Sequence, residues 1–217
     1  MKTKAVIFDM DGVISDTQSI CADIESKLFK EYGIDISPEQ LTERYAGTVS
    51  HEMIPDVFRC FDKTLPDLEF LAQERWTRIF NAVRGNIKAI PGTIEFIQKL
   101  KKEKMPMAVA SASRIDFIEL VLSELSIDFY FDAIASSQEV PKGKPEPDVF
   151  LLAAKRLNVE PSCCLVIEDS LNGMVAANKA GMKCIGLVQK GNLDSNIYKD
   201  VTIAVVRNLK TIPIQDL

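Results

Sequence analysis

Two aspartates, Asp9 and Asp11, stand two residues apart directly behind the apolar run Ala5-Val6-Ile7-Phe8. In an extended chain residues i and i+2 project to the same side, so both carboxylates can converge on one reacting group, and Gly12 lets the backbone turn away sharply. One carboxylate can then attack while the other moves a proton. The end of a strand in an α/β sheet is where such chemistry sits. The string Asp-x-Asp-Gly also occurs in plain turns and in calcium loops. A calcium loop needs oxygens at further alternate positions and a closing glutamate, and Val13, Ser15 and Glu25 do not supply that pattern.

Three more groups follow the same logic of placement. The run Met107-Ala108-Val109-Ala110 stops at Ser111, which puts a hydroxyl at a strand end. Gly143-Lys144-Pro145-Glu146-Pro147-Asp148 sets a lysine before a proline that forbids regular continuation and can open a helix at its first turn. Cys164-Leu165-Val166-Ile167 runs into Glu168-Asp169-Ser170, two adjacent carboxylates where an apolar strand gives out. Each has a bland reading alone: a lone serine, a solvated lysine, an acidic helix cap. Their conjunction is less bland, because several carboxylates, one hydroxyl and one cation at one sheet edge make a magnesium and phosphate site.

The elements that must position these groups can be read from periodicity. After residue 90, helical patterns at 93–104, 115–125, 147–157 and 172–180 separate strand candidates at 107–110, 133–136, 164–167, 184–187 and 203–206. Such alternation predicts an α/β fold with a doubly wound parallel sheet, a Rossmann-like core. Between Thr17 and about residue 88 the pattern changes to helical stripes, Ile20, Ile24, Leu28 and Tyr32 and then Leu68, Leu71, Trp76, Ile79, Phe80 and Val83. No strand is evident there. The expected organisation is a catalytic core of residues 1–15 and 89–217, with an all-helical cap, 16–88, inserted after the first strand. The Trp76 stripe reads as core packing.

Taken together, these residues resemble the haloacid dehalogenase-like hydrolases, and among them the sugar-phosphate phosphatase and β-phosphoglucomutase-like subgroup. The resemblance runs over nearly the whole chain: Phe8-Asp9-Met10-Asp11-Gly12-Val13 with Asp16-Thr17, then Ala110-Ser111, then Gly143-Lys144-Pro145-x-Pro147-Asp148, then Ile167-Glu168-Asp169-Ser170 with Gly173 and Ala176-Ala177-x-x-Ala180-Gly181. It implies a nucleophilic Asp9 that takes a phosphoryl group, an acid/base Asp11, and phosphate oxygens held by Ser111 and Lys144. It also implies Mg²⁺ bound by Asp9, the Asp11 backbone carbonyl, Glu168 and Asp169. Tyr45-Ala46-Gly47-Thr48-Val49-Ser50-His51 is similar to the family's substrate-specificity loop, which makes Gly47 and His51 candidate substrate contacts. A surface histidine near a helix start is the competing reading of His51. Ser111-Ala112-Ser113-Arg114 resembles the mutase loop that holds a second phosphate, so Ala112, Ser113 and Arg114 are candidates too. Cys21 stands where the resembling mutases carry a gate histidine, which weakens the mutase reading.

Phosphoryl transfer needs what these residues offer. Charge develops on equatorial oxygens, so a metal, a fixed cation and hydrogen-bond donors must surround an in-line nucleophile. Carboxylates this crowded repel one another without a cation, and hard oxygen ligands beside phosphate favour Mg²⁺. The 217 residues, 47% of them apolar, supply one sizeable core plus an inserted lobe. A net charge of −5 argues against nucleic acid or an anionic membrane as partner, and the resemblance implies a small phosphorylated metabolite instead. Met1-Lys2-Thr3-Lys4 leads straight into the first strand, so no signal peptide is expected, and a cytoplasmic monomer is. The five cysteines lack Cys-x-x-Cys spacing and suit reduced thiols. Three functions compete: a metal-dependent phosphatase of a small sugar or sugar-acid phosphate, a phosphomutase with the same aspartyl-phosphate, and a non-enzymatic phospho-acceptor domain. The last is disfavoured, because an acceptor domain needs neither an acid/base two residues on nor a lid.

Overall fold

The computed structural model describes residues 2–188 and 196–213; the stretches 189–195 and 214–217 of the expected core lie outside the described residues. Six parallel strands, β1 (Ala5–Phe8), β2 (Met107–Ser111), β3 (Ala133–Ser136), β4 (Cys164–Glu168), β5 (Lys183–Leu187) and β6 (Ala204–Val206), form one sheet in the order β3-β2-β1-β4-β5-β6. They agree with the expected strands to within a residue. The chain builds outward from β1 to β3, then returns to start β4 on the other side of β1. The direction of winding therefore reverses at β1, and a crevice opens beyond the carboxyl ends of β1 and β4.

Strand alternation gives the two sheet faces different linings. Val6, Phe8, Val109 and Leu165 point to one side, where Phe8 meets Phe96 and Phe131 edge-on at 6.2 and 5.9 Å. Ala5, Ile7, Ala108, Ala110 and Val166 point to the other, against Ala153, Ala176 and Ala177. Small residues on that second face let its helices lie close to the sheet, which matters at the site. All residues of β1, β2 and β4 are buried, as strands covered by helices on both faces must be.

Four helices lie between β1 and the rest of the core: α1 (Thr17–Glu31), α2 (Pro38–Tyr45), α3 (Ser50–Cys60) and α4 (Leu68–Val83). They bury a cluster of their own, including Leu28, Phe29, Ile54, Phe58 and Leu71. The other end of α4 belongs to the sheet's cluster through Trp76, Ile79 and Val83, the packing expected of that stripe. Trp76 and Phe80 sit 5.3 and 5.4 Å from the Phe117 ring, so the helical segment is docked on the core by aromatic contacts. Its two connections run side by side, with Asp16 N donating to Lys88 O at 2.8 Å and Ile90 N to Ile14 O at 2.9 Å.

The remaining helices are α5 (Thr93–Lys102), α6 (Ile115–Glu124), α7 (Asp148–Leu157), α8 (Leu171–Lys179) and the short α9 (Asn196–Lys199). One local expectation is corrected. Pro145 does not open a helix: Glu146 N donates to Gly143 O, a turn takes up residues 143–146, and α7 begins three residues after Pro145. The Lys144–Pro145 peptide is cis. Among the described residues no helix is long and apolar enough to cross a membrane.

Candidate active site

Phe8 pairs with Val109 on one side and Ile167 on the other, so the residues that follow all three strands emerge at one edge. Asp9 is the first of them, its N–H bonded to Ile167 O at 2.9 Å. Lys144 reaches the same point from the loop before α7 and is fully buried. Its Nζ donates to Asp9 Oδ1 at 2.5 Å, Glu168 Oε1 at 2.7 Å and Ala110 O at 3.3 Å, which uses all three ammonium protons. A buried ammonium is tolerated only with partners of this kind. The other oxygen of Glu168 accepts from Ser170 N at 2.6 Å and Ser170 Oγ at 3.0 Å, and Ser170 Oγ in turn caps α8 by accepting from Gly173 N. The acidic pair is thus no mere helix cap, since Ser170 does the capping. A Cβ on Gly173 would collide with the Glu168 carboxylate, and one on Gly12, where φ is +92°, with that of Asp169.

Asp11 is held differently. Its carboxylate accepts from Thr17 Oγ1, from Ser113 Oγ at 2.8 Å and from Ser111 Oγ at 3.4 Å. Ser111 Oγ itself accepts from Ser113 N at 3.0 Å. These hydroxyls fix the Asp11 side chain away from the Lys144 cluster, so the two aspartates of the pair have separate surroundings. Thr17 was quoted in the sequence as part of the first motif but given no role at the site; the structure shows that it holds the Asp11 carboxylate.

Charge is crowded here. Burial, with Glu168 and Asp11 close by, pushes the Asp9 carboxyl up to about 8 against the pull of Lys144. Burial, then Glu168 and Asp9, hold Asp169 well above the usual carboxylate range. Against its own burial, Lys144 is raised by Asp9 and Glu168. Asp9, Glu168 and Asp169 each present a carboxylate oxygen within 4.8 Å of the others. Such an oxygen-only donor set, short of positive charge, fits a hard divalent cation. The Asp11 carboxylate is outside that group, which leaves its backbone carbonyl as the atom it could offer.

A cavity of about 80 Å³ lies over these residues, lined on its other side by the helical segment. Of the substrate-contact candidates Gly47, Ala112 and Ser113 line it, with Cys21, whose role the sequence left open, and with Gln18, Glu25, Arg75 and Trp76, which had not been marked as site residues. At Gly47 φ is +79°, and an added Cβ would lie 3.2 Å from Ser170 Oγ; Asn172 Nδ2 donates to Ala46 O at 3.2 Å and ties the same loop down. Burial first, then Asp11 and Glu25, keep the Cys21 thiol well above its ordinary range. His51 and Arg114 do not line this cavity. They line a second one of about 480 Å³ between the helical segment and the core. Ser50 faces both cavities, and one helical residue later His51 is turned about 100° away and bonds Glu69 at 2.9 Å. Arg114 is forked onto Asp116, at 3.0 and 2.7 Å, and reaches Gln73 at 3.2 Å.

The family model for haloacid dehalogenase-like hydrolases matches residues 6–187, and the chain belongs to that family. It is 30% identical over 207 residues to a phosphorylated carbohydrates phosphatase of Thermotoga maritima, covering 94% of each chain. It is 31% identical over 182 residues to hexitol phosphatase B of Escherichia coli, covering 83% of this chain and 82% of that one. Among solved structures, the β-phosphoglucomutase of Clostridium difficile superposes with a TM-score of 0.84 at 28% identity, over 99% of this chain and 95% of that one.

Proposed function

We propose that the protein is a Mg²⁺-dependent phosphoric monoester hydrolase acting on a small sugar or sugar-acid phosphate through an aspartyl-phosphate on Asp9. The observation that carries this reading is the convergence of Asp9, Asp11, Ser111, Lys144, Glu168 and Asp169 at one sheet edge, facing a cavity that the helical segment also lines. Asp9 Oδ1 is tied to Lys144, which leaves Oδ2 to attack phosphorus while the bond to the leaving oxygen breaks. Asp11 gives that oxygen its proton, then takes one from the water that attacks the aspartyl-phosphate and restores Asp9. Ser111 and Lys144 turn donors to the phosphoryl oxygens by giving up their longest bonds, that of Ser111 to Asp11 at 3.4 Å and that of Lys144 to Ala110 O at 3.3 Å. When bound by Asp9, Glu168, Asp169 and the Asp11 carbonyl, Mg²⁺ supplies the positive charge that offsets the phosphoryl group and the crowded acids. The cap, 16–88, excludes bulk water and receives the sugar. We place the protein in the cytoplasm, as a monomer acting on small phosphorylated metabolites.

A phosphomutase is the second reading, favoured by the likeness to β-phosphoglucomutase. Two observations weigh against it. Arg114, the candidate clamp for a second phosphate, is spent on Asp116 and Gln73 outside the catalytic cavity, and Cys21, not a histidine, lines that cavity.

The test is phosphate release from phosphorylated sugars, polyols and sugar acids with and without metal. Excess EDTA should cut release at least about a hundredfold and added Mg²⁺ restore it. Mg²⁺ at about 100 times its Kd should also stabilise the fold by about 2.7 kcal/mol, a rise in Tm of roughly 5–10 °C for a chain of this size. Undiminished release in EDTA would contradict the site design.

A further inference from the structure

Glu25 of α1 and Arg75 of α4 form an ion pair 6% and 8% exposed, on the wall of the catalytic cavity. Arg75 Nε donates to Glu25 Oε1 at 2.7 Å, Nη2 donates to the same oxygen, and Nη1 donates to Ser50 Oγ at 3.0 Å. The guanidinium also lies 4.6 Å from the centroid of the Trp76 ring. Asp9 and Asp11 line the same cavity. None of the four cap residues has a part in the phosphoryl chemistry proposed above.

Packing does not require this pair. Replacing a buried ion pair by apolar side chains is commonly neutral or stabilising, and the same two helices already bury Leu28, Phe29 and Leu71 together. What the pair adds is polarity at the leaving-group side of the cavity. Three of the five guanidinium N–H groups are spent, which leaves two. Among the described residues, Glu25 Oε2 accepts no protein hydrogen bond. An acceptor and donors side by side match two neighbouring hydroxyls, each of which gives one hydrogen bond and takes another. Trp76, which lines the same cavity, adds apolar surface for the carbon chain.

Charge sharpens the match. The positive charge of Arg75 is already neutralised by Glu25, so the pair has no net pull on an anion. A second carboxylate or phosphate placed here would meet Glu25 directly.

Building on the phosphatase reading, we propose that Glu25 and Arg75 form a diol clamp for two adjacent hydroxyls of the leaving group, selecting neutral polyol or sugar monophosphates over sugar-acid phosphates and bisphosphates. The experiment compares wild type and Glu25→Gln, both with Mg²⁺, on sorbitol 6-phosphate, gluconate 6-phosphate and p-nitrophenyl phosphate. Glutamine keeps an acceptor for Arg75 and loses the charge, so the fold should persist; Tm is measured alongside. Wild type should prefer sorbitol 6-phosphate to gluconate 6-phosphate by about tenfold or more in kcat/KM. In Glu25→Gln the ratio of sorbitol 6-phosphate to p-nitrophenyl phosphate should fall about tenfold, chiefly through KM, and the discrimination against gluconate 6-phosphate should shrink. A ratio within about twofold of wild type, or equal losses on both esters with a lowered Tm, would overturn the clamp and leave the pair a structural feature. A binding arm keeps the two proposals apart. Sorbitol 6-phosphate is titrated calorimetrically into Asp9→Asn and into Asp9→Asn with Glu25→Gln, where turnover is blocked. Roughly tenfold weaker binding to the double variant supports the clamp even if wild type hydrolyses none of the esters, an outcome that would sink only the phosphatase reading. Equal affinities, or no binding to either protein, overturn the clamp.

Discussion

Asp9→Asn should abolish turnover, with kcat lower by roughly five orders of magnitude, while the protein folds as before. The amide has nearly the shape of the carboxylate and its oxygen can still accept from Lys144, but it cannot carry a phosphoryl group through the cycle. Stability should respond to pH in a defined direction. In the metal-free protein the Asp9 carboxyl rises from 3.8 to about 8. Between those values the folded state holds a proton that the unfolded chain has released, so this group lowers stability progressively as pH rises through the window. The substituted amide does not titrate there. Melting curves in EDTA should therefore show the variant gaining on wild type between about pH 4 and pH 8. Substantial turnover by the variant would remove Asp9 from the mechanism.

Lys144→Met should damage both fold and activity. The lysine is fully buried, serves two carboxylates and a carbonyl, and is the only cation bonded to Asp9 and Glu168 among the described residues. Removing one partner of a buried ion pair costs about 3–5 kcal/mol, because the remaining charge keeps its desolvation penalty. That corresponds to a fall in Tm of roughly 10 °C for a domain of this size. Loss of the fixed cation should lower kcat by roughly a thousandfold as well. Mg²⁺ should recover part of the stability, since it answers the same excess of carboxylate charge. A variant that melts with wild type would show that Asp9 and Glu168 do not depend on this ammonium.

The core was legible in the sequence because its signals are local. Continuous apolar runs such as 5–8 and 164–167 end on residues that no buried strand would otherwise carry, so each strand end announced itself. The start of α2, where Ser37 and Gln40 form a reciprocal capping box around Pro38, went unread although that signal is local too. The cap-side lining was harder to read because it depends on tertiary docking. Glu25 and Arg75 lie 50 residues apart on two amphipathic helices, where each alone looks like part of a solvated face. Trp76 was rightly placed in the core cluster, yet a helix that joins two clusters also exposes an edge to the space between them, and the stripe cannot say so. His51 and Arg114 lie apart from the first cavity and line the second. They sit beside true lining residues, Ser50 and Ser113, but a helix turn and a forked ion pair carry their side chains outward.

Asp11→Asn provides the most direct test of the aspartyl-phosphate account. Without its acid/base the protein can still be phosphorylated by p-nitrophenyl phosphate, whose leaving group needs no proton, but it cannot activate the water that clears Asp9. Rapid mixing with Mg²⁺ and this ester should give a burst of one nitrophenolate per protein, followed by slow turnover. Quenching during the burst, reducing with borohydride and mapping peptides should place the modification on Asp9 alone. A burst-free time course with unmodified Asp9, or a phosphoryl group trapped on another residue, would contradict the account.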